Sequence, residues 1–448
     1  MKKIDIGTLE RLVSEGEVKR VKRIMSNLDH GLIVLLLDQA RDDYKAKIFS
    51  LLEKEVASDV ILDLSEYSRD VILSHLTKVQ IGDIVTEMES DETADLVINL
   101  PRKSLNYVLR KLTKPDREGI QQLMKYEEDT AGGLMQLETV MIRTTMTVKE
   151  AIKQISRQSE KVEHLHNVFV VDKQGRLKGV LPLRMLILAG KNDKVESLMD
   201  RDVKSVSVGM DVEEVARIFK QEDLSSMPVI DSQERVLGRI TFDDVLDVIE
   251  EEAEEDLYRL SGISTDERVF DPLKKSIRGR LPWLIVNIFT LMLAAVAVSF
   301  FEGTIQEVVA LAVFLPVVAG LGGNAGTQSL TIITRGIALG HLERGGVRRI
   351  LLKEVSLGLL NGFIIGLIVG AIAYVWKGSQ MAMLGAVIFI AMCITLAFAC
   401  FLGTLVPFAL KKFGVDPAVA SSVLVTAFTD VIGFVTFLGV ATILLGLA

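Results

Sequence analysis

Apolar residues follow two different patterns along the chain, and the change falls near residue 280. Before it, the apolar clusters are short: Ile33–Leu37, Ile48–Leu52, Val60–Leu64, Val71–Leu76, Ile81–Met88 and Ala94–Leu100, parted by polar turns. That spacing predicts a stack of short helices over residues 1–130, an all-α superhelix without a sharp repeat period. A duplication follows. Met146-Thr147-Val148, Val168-Phe169-Val170-Val171-Asp172 and Gly179-Val180-Leu181 recur in order as Met210-Asp211-Val212, Met227-Pro228-Val229-Ile230-Asp231 and Gly238-Arg239-Ile240. Each copy reads as strand, helix, two strands around a turn, and helix, placing α/β units at 131–199 and 200–249. A polar, acidic connecting helix is expected over 250–280. Beyond it, apolar spans at about 281–301, 305–340, 351–376, 382–410 and 417–447 each reach the roughly 20 residues that cross a bilayer. Residues 281–448 therefore read as a five-helix transmembrane domain in a multidomain chain.

Charge sharpens this division. Of 448 residues, 49% are hydrophobic, yet 25% are charged. The two characters are segregated. Residues 281–448 carry 8 Lys/Arg and 6 Asp/Glu, leaving 43 and 53 for residues 1–280, a net −10. An acidic soluble part argues against nucleic acid, which calls for a basic face, and is compatible with cations. Met1–Glu10 has no apolar signal core, so the soluble part is expected in the cytoplasm. Positive clusters at Lys274, Lys275, Arg278 and Arg280, around Arg344–Arg349, and at Lys411 and Lys412 place those segments on the cytoplasmic side. The expectation is a multi-pass protein of the cell (inner) membrane with Ala448 outside.

The membrane half holds the most informative chemistry. Asp430 is a carboxylate in the middle of the last apolar span, where a charge costs roughly 2.5–3.5 kcal/mol. Such residues face a bundle interior or a water-filled path; the bland alternative is neutralisation by a proton or by Thr426 or Thr429. The second span carries Pro316 and then Gly320-Leu321-Gly322-Gly323-Asn324-Ala325-Gly326-Thr327-Gln328. A proline and four glycines predict a broken helix whose freed carbonyls face a cavity; the alternative is close packing through small residues. On the first reading Asn324, Gly326, Gln328 and Thr426 line a pore. Carbonyls, amides and a carboxylate, without Cys or His, make a hard oxygen environment suited to Mg²⁺. One Asp per chain is thin for a divalent ion, and a symmetric dimer would supply two.

Asp243, Asp244, Asp247, Glu250, Glu251, Glu252, Glu254, Glu255 and Asp256 crowd fourteen residues. Like charges three or four apart destabilise a helix by a few tenths of a kcal/mol per pair. A divalent cation bound through its waters would cancel the repulsion; a solvated helix face is the other reading. Asp91 and Asp95, four apart, share a helix face and alone are ordinary surface residues. His164 and His166 fit a surface strand better than a zinc pair, as no third ligand is evident. Cys393 and Cys400, seven apart in apolar sequence, read as packing residues.

The duplicated unit resembles a tandem pair of CBS domains, a regulatory module that often binds adenine nucleotides. Gly238, Thr241 and Asp244 match its nucleotide motif in the second copy, with Arg239 at an apolar place. Pro182 and Met185 stand at the Thr and Asp places in the first, so at most one ATP-type site is expected. The whole chain resembles the MgtE magnesium channel family. The motifs are Pro316–Gln328, Glu251–Leu260, and Asp416-Pro417 followed by Thr426 and Asp430. The resemblance implies a homodimeric Mg²⁺ channel in which Asp430 binds hydrated Mg²⁺. It further implies closure by internal Mg²⁺ at Asp91, Asp95, Asp223, Asp244, Asp247, Glu252, Glu255 and Asp256. Ser421-Ser422-Val423-Leu424 departs from the family's Ser-Gly-Pro-Leu, and Ala427-Phe428 from Thr-Leu, which would straighten the helix before Asp430. Two further readings stand beside the channel: a gradient-coupled cation carrier using Asp430 as a proton site, and a non-conducting membrane sensor. No nucleophile–base set points to an enzyme.

Overall fold

The computed structural model describes residues 5–158, 165–265, 267–340, 342, 346–377, 382–417 and 421–446. Met1, His164, the loop positions 341 and 343–345, and Ala448, all used in the expectations above, lie outside them. The chain forms two compact units, Met1–Glu252 and Ala253–Ala448.

The first unit opens with ten short helices among the described residues, from α1 (Ile6–Ser14) through α8 (Ser90–Ile98) and α9 (Arg102–Lys111) to α10 (Lys114–Leu123). They start where the sequence supplies acceptors for orphan amides. Asp29 takes the Leu32 amide, Ser65 the Ser68 amide, and Thr77 with Gln80 forms a capping box. Glu89 and Glu92 form another at the start of α8, which fixes where the acids of that turn stand.

The duplication appears as two three-stranded sheets, β1 (Met141–Arg143)–β2 (Asn167–Val171)–β3 (Leu177–Pro182) and β4 (Val206–Ser207)–β5 (Ser226–Ile230)–β6 (Val236–Thr241). In each, the first pair is parallel and the second antiparallel, with a register shift at the end of the middle strand. The hairpin turns repeat atom for atom. Asp172 accepts the Gln174 and Arg176 amides and the Arg176 guanidinium; Asp231 accepts the Gln233 and Arg235 amides and the Arg235 guanidinium. Helices α11 (Val148–Gln158), α12 (Leu183–Leu188), α13 (Val195–Leu198), α14 (Val212–Glu222) and α15 (Phe242–Leu260) complete the pair. The second copy shares one continuous apolar core with the N-terminal helices, including Val97, Leu109, Met135, Val229 and Val245. The first copy has a core of its own.

The acidic connecting helix differs from its expected bounds. It is α15 itself, starting at Phe242 as the last helix of the second copy and ending at Leu260. The described residues that follow are non-helical, and the Lys274–Arg280 cluster belongs to α16 (Leu273–Ser299).

The second unit contains α16, a short α17 (Glu302–Glu307), α18 (Ala310–Ala338), α19 (Val347–Lys377), α20 (Ala382–Lys412) and α21 (Ser421–Leu445). Five of these are long and apolar enough to cross a membrane. The broken second span does not occur: α18 is one continuous helix with Pro316 inside it. The excess length of that span is taken up by α17 and the turn after it. Pro316 lies in the second turn of α18, so the missing amide bond costs a single carbonyl near the helix start. The glycines stay helical because neighbours need their surface. A methyl on Gly326 would stand 2.8 Å from a Val425 methyl, and one on Gly322 would stand 3.0 Å from Thr395. Small-residue packing, the bland alternative, explains these positions.

The same device fastens α19 to α20 over four turns. A methyl on Gly358 would lie 2.5 Å from the Leu396 carbonyl oxygen, one on Gly362 2.6 Å from the Cys393 Cα, and one on Gly366 3.0 Å from the Phe389 carbonyl oxygen. One on Gly370 would lie 2.9 Å from the Gly385 carbonyl oxygen. Cys393, within this packing, and Cys400, buried against Ala325 of α18, are free thiols that serve as packing residues.

Candidate functional site

Two groups of polar residues fit cation chemistry, one in each unit. In the first unit the capping box of α8 presents Glu89, Asp91 and Glu92 on one helix start, where the helix dipole favours negative charge. Asp91 is only 7% exposed and its Oδ1 has no hydrogen-bond partner. Burial raises its carboxyl well above the usual range, and the charges of Asp244 and Glu89 add to this. Burial likewise pushes Glu89 up to about 8, helped by Glu92, Asp244 and Glu138 and opposed by Arg239.

Asp244 approaches from the first turn of α15. Its carboxylate accepts the Thr241 amide at 3.0 Å, the Thr241 hydroxyl at 2.5 Å and the Gln136 side-chain amide at 3.2 Å. Burial nonetheless raises it. Glu138 accepts the Ser90 hydroxyl at 2.7 Å. The charges of Glu89, Asp91, Glu92, Glu138 and Asp244 thus act on one another, and the Arg239 guanidinium offsets those of Glu89 and Asp244. Among the described residues no three acidic, His or Cys side chains close into a finished metal cage. An ion held here would keep much of its water, which is how Mg²⁺ binds to proteins.

Asp95 lies one turn along α8 from Asp91, with one side open to solvent. Desolvation of its inner side, Glu128 and Glu251 push it up to about 7 against the pull of Arg69; water on its open side screens these charges. Asp247 is exposed on α15 and is raised by desolvation and by Asp63, Asp243 and Glu250. Asp223 caps α14 in the left-handed region at φ 51°. With His166, Leu224, Ser225, Thr241, Phe242 and Asp243 it lines an open cleft of about 380 Å³.

The three residues of the expected nucleotide motif do not converge on that cleft. Thr241 lines it. Gly238 instead allows the crossing of Met135–Gln136 over β6, since a methyl would stand 2.6 Å from the Gln136 carbonyl oxygen. Asp200 crosses Gly179 in the same way in the first copy. Asp244 is occupied by Thr241 and Gln136.

Further along α15, Glu252 is half-buried. In the second unit Glu255 pairs with Arg259, which also pairs with Asp416 in the chain before α21. Asp256 is raised by burial and by Asp416, with Arg335 opposing.

The membrane-spanning group is organised by α18 and α21, which run antiparallel. Val318 lies beside Gly433, Gly322 beside Thr429, and Gly326 beside Val425. Asp430 therefore stands level with the glycine run. It is half-buried, and among the described residues no hydrogen bond or ion pair reaches it. Thr429 does not neutralise it, because its hydroxyl donates to the Thr426 carbonyl at 2.9 Å. Thr426 is half-buried beside Gly323. Gly326, expected at a pore wall, is buried against Val425 and the Ala399 carbonyl, because the helices close on it. Asn324 and Gln328 are exposed, and so are Thr327, Thr331 and Arg335. Their spacing puts all five on one face of α18, opposite the buried Ala325, Ser329 and Ile333.

Glu89, Glu92, Glu138 and Thr331 were not singled out from sequence. The Glu-x-x-Glu capping pattern around Asp91 was a usable signal; Glu138 is brought in only by the fold.

Known proteins match the chain along its length. The MgtE divalent cation transporter model matches residues 315–440, the MgtE intracellular N domain 28–129, and the CBS domain 131–192 and 195–251. The magnesium transporter MgtE of Thermus thermophilus is 34% identical over 98% of this chain and 98% of its own length. That of Bacillus subtilis is 29% identical over 96% and 95%. Among solved structures, the cytosolic domain of the Mg²⁺ channel MgtE in complex with ATP aligns with a TM-score of 0.50 at 32% identity. It covers 54% of this chain and 99% of that one. These relatives are transporters and not enzymes, as the lack of a catalytic set implied. By sequence and by the order of its domains, the chain belongs to the MgtE family of magnesium transporters.

Proposed function

We propose that the protein is a Mg²⁺-selective channel of the cell membrane, formed by two copies, with its N-terminal domains in the cytoplasm. The observation that carries this is the exposed polar face of α18. Asn324, Thr327, Gln328, Thr331 and Arg335 lie on the surface of a single chain within a membrane-spanning helix. Facing lipid, such groups are costly. Facing a second copy across a water-filled path, they are solvated and supply oxygens, and Asp430 is doubled. Hydrated Mg²⁺ fits a wall of amides, hydroxyls and carboxylates.

Closure by internal Mg²⁺ follows from the acidic groups. Metal-free, Glu89, Asp91, Glu138 and Asp244 repel one another; Mg²⁺ stabilises whichever arrangement draws them together. The ion can shift the gate only by its differential affinity for the two states. Asp95, Asp223, Asp247, Glu252, Glu255 and Asp256 extend this acidic surface. The solved relative bound to ATP supports a nucleotide in the Asp223–Thr241 cleft, although the tie between Asp244 and Thr241 must open for the motif to act.

The test is Mg²⁺ flux into liposomes carrying the purified protein, without proton or sodium gradients. Flux that falls as Mg²⁺ rises on the cytosolic-domain side supports the self-gated channel. Flux that needs an imposed gradient overturns it in favour of a coupled carrier, and flux under neither condition favours a non-conducting sensor.

A further inference from the structure

Glu354 is a carboxylate within a membrane-spanning helix, 1% exposed, and it lies outside the site described above. Its Oε2 accepts the hydroxyl of Ser329 at 2.8 Å and its Oε1 accepts Lys353 Nζ at 3.0 Å. Lys353 is largely exposed, so the pair carries its positive end outward while the carboxylate stays inside. A buried carboxylate in a membrane helix is a functional candidate by default, because its insertion is costly whatever it does there.

Position indicates what it does. Ser329 is on the buried side of α18 and Gln328 on the exposed polar side. Adjacent residues of an α-helix differ by about 100° around its axis. A bond that holds Ser329 therefore also fixes the direction of Gln328, and of Asn324 one turn away. The anchor itself is rigid: α19, which carries Glu354, is locked to α20 through Gly358, Gly362, Gly366 and Gly370. α20 meets α18 at Gly403, where any side chain would collide with the Gly326 carbonyl.

We propose that Glu354 is a positioning residue for conduction, setting the rotation of α18 through Ser329 so that Asn324 and Gln328 face the ion path. This rests on the pore reading of the exposed α18 face, and the experiment separates the two. A Gln328→Cys probe is placed in the full-length protein with Cys393→Ala and Cys400→Ala, reconstituted in liposomes. A membrane-impermeant thiol reagent reports whether position 328 faces water.

The expected result is rapid labelling in this parent. Labelling should slow by about tenfold in Glu354→Ala and in Ser329→Ala, the scale of losing one hydrogen bond to a charged group. Glu354→Gln, whose amide oxygen still accepts from Ser329, should keep the parent's rate, which a role in charge alone would not predict, while a role in the bulk of Glu354 alone would leave Ser329→Ala unchanged. If Glu354→Ala fails to fold, Ser329→Ala carries the test by removing a single hydroxyl. Unchanged labelling in both variants, or a Gln variant as slow as the Ala variant, overturns the role of Glu354 alone. A parent that the impermeant reagent cannot label in liposomes, but does label in detergent, overturns the pore reading and this inference with it.

Discussion

Raising the pH should destabilise the metal-free N-terminal unit, and Mg²⁺ should reverse the effect. Glu89 illustrates the sign. Its folded-state pKa is about 8 against an ordinary 4.5, so between those values the folded state binds more protons than the unfolded state. Stability contributed by the protonated form is intact below about pH 4.5 and is lost progressively as pH rises towards 8. Each pH unit inside that window costs about 1.4 kcal/mol for one proton. Going from pH 6 to 8 therefore removes up to roughly 2–3 kcal/mol from Glu89 alone, with Asp91 adding in the same direction. For a unit of this size that is a fall in Tm of about 5–10 °C. The assay is calorimetric unfolding of residues 1–252, a compact unit with its own core, at pH 6, 7 and 8, with and without millimolar Mg²⁺. Mg²⁺ should raise Tm most at pH 8, where it takes the place of the lost protons. Glu89→Gln should flatten the pH dependence. A Tm that is constant across this range without Mg²⁺, or that falls equally with it, would refute the reasoning.

Three other expectations can be checked directly. Asp430→Ala should abolish Mg²⁺ flux in liposomes while chemical cross-linking still yields the two-copy assembly. Neutralising Asp244, Asp247, Glu252 and Glu255 together should leave flux unchanged at low internal Mg²⁺ and no longer suppressed at high; suppression equal to the parent's would return these acids to the role of a solvated surface. Gly326→Val should drive a methyl into Val425 and lower thermal stability in detergent by about 1–3 kcal/mol, whereas Gly320→Ala, with nothing within 4 Å of its added carbon, should leave it nearly unchanged.

The division of the chain was legible because hydrophobic periodicity changes abruptly. Short clusters gave the helical stack, Val168–Asp172 and Met227–Asp231 marked the paired middle strands, and five long apolar runs marked the membrane helices. Pro316 and its glycines were misread because sequence shows a helix-breaker but not its surroundings. Whether Gly326 frees a carbonyl or admits a neighbour depends on Val425, about a hundred residues away. The end of the connecting helix at Leu260 was missed although the sequence marks it, since Ser261-Gly262 follows directly and Gly262 takes φ 68°. Asp91 was legible only through a family resemblance. Its burial, and the approach of Glu138 and Asp244, are properties of the packed unit. Gly238 matched a nucleotide motif but is accounted for by the Met135–Gln136 segment that crosses it.

The glycine contacts between α19 and α20 have a mechanical consequence. Where backbones touch over four successive turns, sliding one helix past the other by even a single residue would drive α-carbons into carbonyl oxygens. The two helices can tilt together, as a stiff beam does, but they cannot shear. Any opening of a path beside α18 therefore leaves this beam intact and is taken up by helices that lack such a ladder. Among the least tolerant positions in the membrane half are then the bare glycines of the beam, which carry no chemistry at all.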